Sequence, residues 1–312
     1  MQVIHTVAAM RAARACVADL SLVPTMGYLH EGHLSLVARA KADGAPVAAS
    51  IFVNPTQFGP NEDLSRYPRD VPRDLELLEA AGVDFAFVPE ASEMYPPEFD
   101  IRIEVGAVTE VLEGAVRPGH FAGVATVVAK LFNIVQPTRA YFGQKDAQQS
   151  VVIRKLVRDL NIPVEVVVAP TVRETDGLAL SSRNSYLTPE QRAVAPAIFR
   201  ALCEAQRRFD LGERDAEALR QVLRDVIASE SLLQIDYVSI AEPTTLQELQ
   251  AVEREALASM AVRVGSTRLI DNVILDAAAS WGRTILPPVI GAGAPVVLGK
   301  LIGKPRAQRA AR

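Results

Sequence analysis

The chain has 312 residues, 49% of them hydrophobic and 22% charged, with a formal net charge of −4. This is a globular composition, long enough to bury a sizeable core in one large or two ordinary domains, and its charge gives no reason to expect a nucleic acid or an anionic membrane as partner. The two cysteines, Cys16 and Cys203, make neither a disulfide framework nor a metal-ligand cluster, which fits a reducing, cytoplasmic setting.

Arg11 and Arg14 interrupt the first apolar stretch and spoil a signal-peptide core. No uncharged apolar run reaches the roughly 18 residues of a membrane span. The longest candidate, 121–135, carries Lys130 and Asn133. A soluble protein is expected.

The first strand falls at 21–25 and leads into a helix over 32–42; the next strand is 47–53. Leu75, Leu77 and Leu78 give 70–81 helical spacing, and Gly82 supplies its stop. A strand at 84–88, a long buried helix at 121–135, a strand at 139–142, a helix at 147–160 and a strand at 164–169 follow. Strands alternating with helices predict an α/β fold, a parallel sheet with helices on both faces. Ligands of such sheets bind beyond the carboxyl ends of the strands. The loops after Thr25, Val53, Phe142 and Ala169 are therefore the places to look.

Beyond about residue 187 the texture changes. Thr188-Pro189-Glu190 caps a helix running to about 209, a second helix covers 215–229, and strands follow at 234–240, 259–264 and 268–275. This predicts a smaller α+β domain. The expected division is 1–172, 173–278 and a mobile basic tail over 279–312. Residues 293–300 imitate a phosphate loop, but one residue too many separates the glycines and Leu301 stands where Ser or Thr is required.

Four segments carry chemistry. The first is Pro24-Thr25-Met26-Gly27-Tyr28-Leu29-His30-Glu31-Gly32-His33, where a buried strand turns into a helix. A helix start offers free amides and a positive dipole end to phosphate, and Gly27 and Gly32 allow close approach. His30 and His33 share a helical face and suit charge developing on departing pyrophosphate. A metal site is the weaker reading, because His5 and His120 have no ligand spacing to this pair. The second segment is Asn54-Pro55-Thr56-Gln57-Phe58-Gly59, whose amides suit a hydroxy acid; by itself it reads as an ordinary Asn-Pro turn. The stretch 61–70, with Arg66 and Tyr67, fits a flap over it.

In the third segment, Gly143-Gln144-Lys145-Asp146 opens a helix, where the dipole disfavours a cation unless an anion binds. Gln149 lies one turn beyond Lys145. The fourth, 173–184, contains Leu180-Ser181-Ser182-Arg183-Asn184, hydroxyls beside a forked guanidinium, apt for triphosphate or for a polar linker. No Gly-x-Gly-x-x-Gly, no Gly-x-Ser-x-Gly and no cysteine in a motif loop is present, so neither a dinucleotide nor a covalent nucleophile is expected.

Taken together, these segments resemble the pantoate–β-alanine ligase family in order and approximate spacing. Arg117-Pro118-Gly119-His120-Phe121 and Ser65-Arg66-Tyr67-Pro68-Arg69-Asp70 also match family segments, and the resemblance runs to about Leu275. Leu180 stands where the family usually has Met, a change of similar volume. The resemblance implies a Rossmann-like, nucleotidyltransferase-type domain closed by a smaller carboxyl-terminal one, and a homodimer. It implies activation of pantoate by ATP to an adenylate with release of pyrophosphate, followed by attack of β-alanine and release of AMP. It places ATP on Met26, Gly27, Tyr28, Leu29, His30, Glu31, Gly32 and His33, and on Gly143, Gln144, Lys145, Asp146, Val172, Leu180, Ser181, Ser182 and Arg183. Pantoate falls to Gln57 and Gln149, with Gln57 also reaching β-alanine, and Asn54 and Tyr67 beside them. His33, His30, Lys145 and Arg183 are the expected catalytic set. Magnesium is expected to arrive on the phosphates, with no metal site of the protein's own. Rival readings are a same-fold enzyme moving AMP onto a phosphate, a nucleotide sensor, and a tRNA-linked synthetase; the last lacks a basic face outside the tail.

Overall fold

A computed structural model of the chain describes residues 1–60 and 62–276, together with the backbone of Val296–Val297. The tail predicted over 279–312 lies outside the described residues apart from that pair, which joins β7 as noted below.

Strands β1 (Gln2–Ile4), β2 (Ser21–Thr25), β3 (Val47–Ile51), β4 (Phe85–Phe87), β5 (Arg139–Gly143) and β6 (Glu165–Ala169) form one six-stranded sheet in the order β1-β4-β3-β2-β5-β6. Every pairing in it is parallel. Alternate strand residues face opposite layers. Leu20, Leu22, Ala48, Phe87, Ala140 and Phe142 pack with helices α1 (Val7–Ala15), α6 (His120–Val135) and α7 (Ala147–Asp159). Val23, Val47, Ala49, Ile51, Ala86 and Tyr141 pack with α2 (Glu31–Ala42) and α3 (Val71–Ala80). Covering both faces explains why β3 is buried at all five positions and, apart from the small Ser50, is apolar throughout.

The sheet order reverses between β2 and β5. The two pair only at Ser21↔Arg139 and Leu22↔Ala140, whereas β2 and β3 stay paired to Thr25↔Ile51. Pro24, which has no N–H to give a ladder, follows the point of parting. A crevice therefore opens at the carboxyl ends of β2 and β5, the position at which such sheets take ligands.

Helices α9 (Ala197–Asp210) and α10 (Ala216–Ala228) cover an antiparallel sheet of β8 (Leu233–Ala241), β9 (Glu255–Val264) and β10 (Thr267–Asp276), in the order β10-β9-β8. Their shared core is a separate apolar cluster. The expected α/β fold with a smaller α+β C-terminal domain is the one found. A two-residue strand β7 (Val172–Arg173) pairs antiparallel with β11 (Val296–Val297).

Details differ from the sequence reading. β1, α1 and the short helices α4 (Ala91–Met94) and α5 (Glu113–Val116) were not anticipated. The helix expected from 188 to 209 is two, α8 (Pro189–Val194) and α9, because Pro196 cannot donate to the turn before it. Strand β9 begins at Glu255, four residues early. Its Glu-Ala-Leu-Ala start favours helix locally, but pairing with β10 on one side and β8 on the other overrides that preference.

Helix α6 also fixes the turn after β3. A Cβ on Gly123 would lie 2.4 Å from the Thr56 carbonyl oxygen and 2.7 Å from Gln57 Cα, both main-chain atoms. Replacing Gly123 by Ala must therefore push helix and turn apart. We expect Gly123→Ala to cost about 2 kcal/mol of stability by overpacking, read as a lowered thermal midpoint. An unchanged midpoint would show that the contact yields freely.

Candidate functional site

The motif loops meet in a cleft of about 240 Å³ at the parting of β2 and β5. Its walls include Met26, His30, Gly32, His33, Asn54, Gln57, Tyr67, Gly143, Lys145, Asp146, Gln149, Val172, Leu180, Ser181, Ser182 and Arg183, all anticipated from the sequence. Gly27, Tyr28, Leu29, Glu31 and Gln144, also anticipated, do not line it. Phe52, Val124, Val127, Val128, Leu131 and Phe142 give it an apolar floor, chiefly from α6.

The turn after β2 is held by its own backbone chemistry. Gly27 and Tyr28 both have positive φ, +83° and +50°. The turn is stabilised by Asp74 on α3, a fully buried carboxylate that accepts the Tyr28 amide at 2.6 Å and the Leu29 amide at 2.7 Å. Burial pushes the Asp74 carboxyl up in pKa, and those two amides with Arg73 hold it back. Arg73 Nη1 also donates to the Leu29 carbonyl at 3.0 Å. The Tyr28 and Leu29 amides are thus engaged within the protein, and Leu29 is core.

His30 and His33 cap α2 reciprocally. His30 Nδ1 accepts the Gly32 amide at 3.1 Å, and His33 Nδ1 accepts the His30 amide at 3.3 Å. Backbone amides can only donate, so each ring carries its proton on Nε2. Burial lowers the His30 pKa to about 4, with the fields of Lys145 and Arg73 adding to the shift. Burial, helped by His30, lowers His33 to about 3. Both imidazoles are therefore neutral N–H donors at neutral pH.

The turn after β3 is built around Asn54, which is 1% exposed. Its Nδ2 donates to Gln57 Oε1 at 3.0 Å and to the Gly123 carbonyl at 3.2 Å, while its Oδ1 accepts from Tyr95 Oη at 2.7 Å and Thr56 Oγ1 at 2.9 Å. Asn54 lines the cleft, but its amide is already saturated by the protein. It orients Gln57, whose Nε2 has, among the described residues, only the weak acceptor Met26 Sδ, at 3.1 Å. His120 Nδ1 donates to the Gln57 carbonyl at 2.8 Å. Burial, then Arg117, lowers the His120 pKa to about 4.

Cations converge from separate loops. Lys145 forms no ion pair among the described residues. Arg183 forms two hydrogen bonds to Asp63, each 3.0 Å, and Arg117 grips Glu62 at 2.7 and 2.5 Å. Glu62 and Asp63 belong to the stretch expected to be a flap. Burial opposes ionisation of both acids, yet their arginine partners win and hold each carboxyl below its ordinary range. The flap is tied down further by Tyr186 Oη, which donates to the Arg66 carbonyl at 3.0 Å. Among the described residues no group of three or more His, Cys, Asp or Glu is arranged to hold a metal ion.

Sequence reasoning passed over Asp74, Tyr95, Glu62 and Asp63, whose roles arise from contacts across 41 to 120 residues of sequence. It also passed over Thr171, a buried hydroxyl on the cleft wall with no partner among the described residues.

The family model for pantoate-beta-alanine ligase matches residues 2–274. The chain belongs to the pantoate–β-alanine ligase family. The pantothenate synthetase of Chloroflexus aggregans is 64% identical over 276 residues, covering 88% of this chain and all of that one. That of Herpetosiphon aurantiacus is 62% identical with the same coverage. The solved pantothenate synthetase of Thermus thermophilus superposes with a TM-score of 0.85 at 51% identity, over 88% of this chain and 99% of that one. The Francisella tularensis ligase, solved with β,γ ATP and β-alanine, gives 0.72 at 35% identity over 88% and 98%. This chain is accordingly a pantoate–β-alanine ligase, an enzyme that forms pantothenate. No helix of the ligase among the described residues is long and apolar enough to cross a membrane.

The depressed imidazoles give this ligase a pH signature. Above about pH 6.5, the ordinary histidine value, both rings are neutral folded or unfolded and contribute nothing. Below it the unfolded chain takes up protons that the native His30 and His33 refuse, so stability falls as the pH drops from there toward 4. Nitrogen-detected NMR of the imidazoles is expected to show both Nε2–H tautomers unchanged from pH 8 to 5.5. Midpoints between 6 and 7 for His30 and His33 would contradict the geometry.

Proposed function

We propose that the ligase works through an acyl adenylate. A carboxylate oxygen of pantoate attacks the α-phosphorus of ATP, and the bond to pyrophosphate breaks. The amine of β-alanine then attacks the acyl carbon, and AMP leaves. One observation carries this reading: His30, His33, Lys145 and Arg183, from three separate loops, line one cleft with an apolar floor.

The physical problem is to bring two anions together. Lys145 and Arg183 offset their repulsion as charges, and the Nε2–H groups of His30 and His33 donate to phosphate oxygens as neutral imidazoles. Charge stabilisation by preorganised donors needs no reorganisation during the reaction. Gln57 and Gln149 bind the polar end of pantoate, and the floor of Val124, Val127 and Leu131 accepts its branched carbon. Ser181, Ser182 and the unpartnered Thr171 hydroxyl complete the nucleotide wall. Magnesium, when bound, neutralises phosphate charge; phosphate oxygens and water would hold it mainly, with Asp146 the carboxylate on the cleft wall.

In this reading residues 1–172 bind nucleotide and pantoate, and residues 173–278 act as a lid that keeps water from the adenylate. A homodimer in the cytoplasm is carried over from the family resemblance.

Exchange of labelled pyrophosphate into ATP, with pantoate and magnesium but no β-alanine, tests the first step alone. Lys145→Ala and His33→Ala should each lower exchange about 100-fold or more with folding intact. Wild-type exchange in either variant removes that residue from the mechanism, and exchange that ignores pantoate assigns the enzyme a different acceptor.

The triphosphate must also compete with Asp63 for Arg183. Freeing that guanidinium should tighten nucleotide binding, so Asp63→Ala is expected to lower the KM for ATP by about 3-fold, the scale of a half-buried ion pair. A raised KM with unchanged stability would mean that Asp63 assists nucleotide binding.

A further inference from the structure

Past Arg183, no residue among those described lines the cleft, yet the C-terminal domain grips the turn that carries Lys145. Asn272 on β10 is 3% exposed. Its Nδ2 donates to the Gln144 carbonyl at 3.0 Å and to the Lys145 carbonyl at 2.9 Å. These oxygens belong to the two peptide planes on either side of the Lys145 Cα. Holding both planes from one amino group fixes the backbone dihedrals of Lys145, and with them the direction of its Cα–Cβ bond. The Lys145 side chain has no ion pair or hydrogen bond among the described residues, so its aim rests on its backbone.

We propose that Asn272 is a positioning residue for Lys145, through which the C-terminal domain sets the adenylation step. This rests on the role given to Lys145 above. The chemistry of the contact is selective. Both neighbours are carbonyl oxygens, so the side chain must supply two donors, and the amide must present its nitrogen. Its Oδ1 is buried with no partner among the described residues, and the donors are what the Lys145 turn uses.

The strand that presents Asn272 is anchored as well. The adjacent Asp271 pairs with Arg173, with Nη2 at 2.8 Å from Oδ1, and both side chains are almost wholly buried. Asp271 Oδ1 also accepts the Asn272 amide at 2.8 Å, and Arg173 Nη2 reaches the Asn272 carbonyl at 3.4 Å. Nearby, Arg268 of β10 donates to Glu113 on α5 at 2.6 and 2.8 Å. A shift of β10 against the six-stranded sheet would carry Asn272 with it and rotate the Lys145 backbone. Misplacing a catalytic group by about 1 Å costs up to about 100-fold in rate.

The test is a double-mutant cycle on the full-length enzyme, read by pantoate-dependent pyrophosphate exchange and by kcat and KM for each substrate. Asn272→Ala should lower exchange about 10-fold or more, mainly in kcat, with the KM for pantoate and β-alanine little changed. In a Lys145→Ala background the same substitution should cost less than about 2-fold, because the group it positions is gone. An equal cost in both backgrounds overturns the proposal and leaves Asn272 a general packing residue. Wild-type exchange in Lys145→Ala alone instead overturns the role of Lys145, and the proposal with it. If Asn272→Ala lacks a cooperative melt, Asn272→Ser, which keeps one donor, is taken through the same cycle, where a cost confined to the Lys145 background supports the proposal and an equal cost overturns it.

Discussion

Strands β2 and β5 are hydrogen-bonded for two residues, and every group in the cleft is placed by what the chain does after they part. Main-chain groups released from a sheet must find partners elsewhere, or be left for a ligand. On the β2 side the partner is Asp74, which takes the Tyr28 and Leu29 amides and so fixes a turn with two successive positive φ angles. On the β5 side it is Asn272, which takes the carbonyls of Gln144 and Lys145. One buried carboxylate and one buried amide, from distant parts of the chain, hold the two loops that face each other across the crevice.

The electrostatics of the cleft follow from burial as much as from charge. His30 and His33 stand beside Lys145 in a desolvated corner, which keeps both rings neutral and leaves Lys145 as the cation of that corner. On the opposite wall Arg117 and Arg183 are matched by Glu62 and Asp63. Free guanidinium groups in a low-dielectric cleft would be costly, and the flap supplies their counter-charges. The same pairing helps hold the flap in place, alongside the buried Tyr67 and the bond from the Tyr186 hydroxyl to the Arg66 carbonyl. A polyphosphate and a carboxylate entering the cleft offer the arginines an alternative set of oxygens.

Past Arg183 the described residues of the C-terminal domain add no wall to the main cleft, but Asn272 holds the main chain of the Lys145 turn, and Tyr237, Ser259 and Asp271 border a small cavity that Lys145 and Gln149 also line. Arg173, Asp271, Arg268 and Glu113 make buried or largely buried ion pairs where β10 meets β7 and α5. Breaking one partner of such a pair would strand a buried charge, which makes the junction specific in geometry. Asn272 then passes that geometry to Lys145.

By itself the sequence determined most of the α/β elements between 21 and 169 and the residue chemistry of the loops. The apolar strand runs alternating with helical patterns over 21–169 point to a covered parallel sheet, because a strand buried on both faces, as β3 is, shows no polar alternation. Gly turns, paired histidines, Lys145 at a helix start and Ser181-Ser182-Arg183 announce an anion site through local rules of dipole, spacing and donor type. Tertiary structure alone decided which of those groups face the cleft. It took Gly27, Tyr28, Leu29, Glu31 and Gln144 off its walls, gave Asn54 an internal partner at every polar atom, and paired Arg183 with an acid 120 residues away. Asp74 and Asn272 carry no local signal at all, since a carboxylate in a helix and an amide in a strand acquire their roles only when the main-chain groups they serve arrive from 45 and 128 residues away.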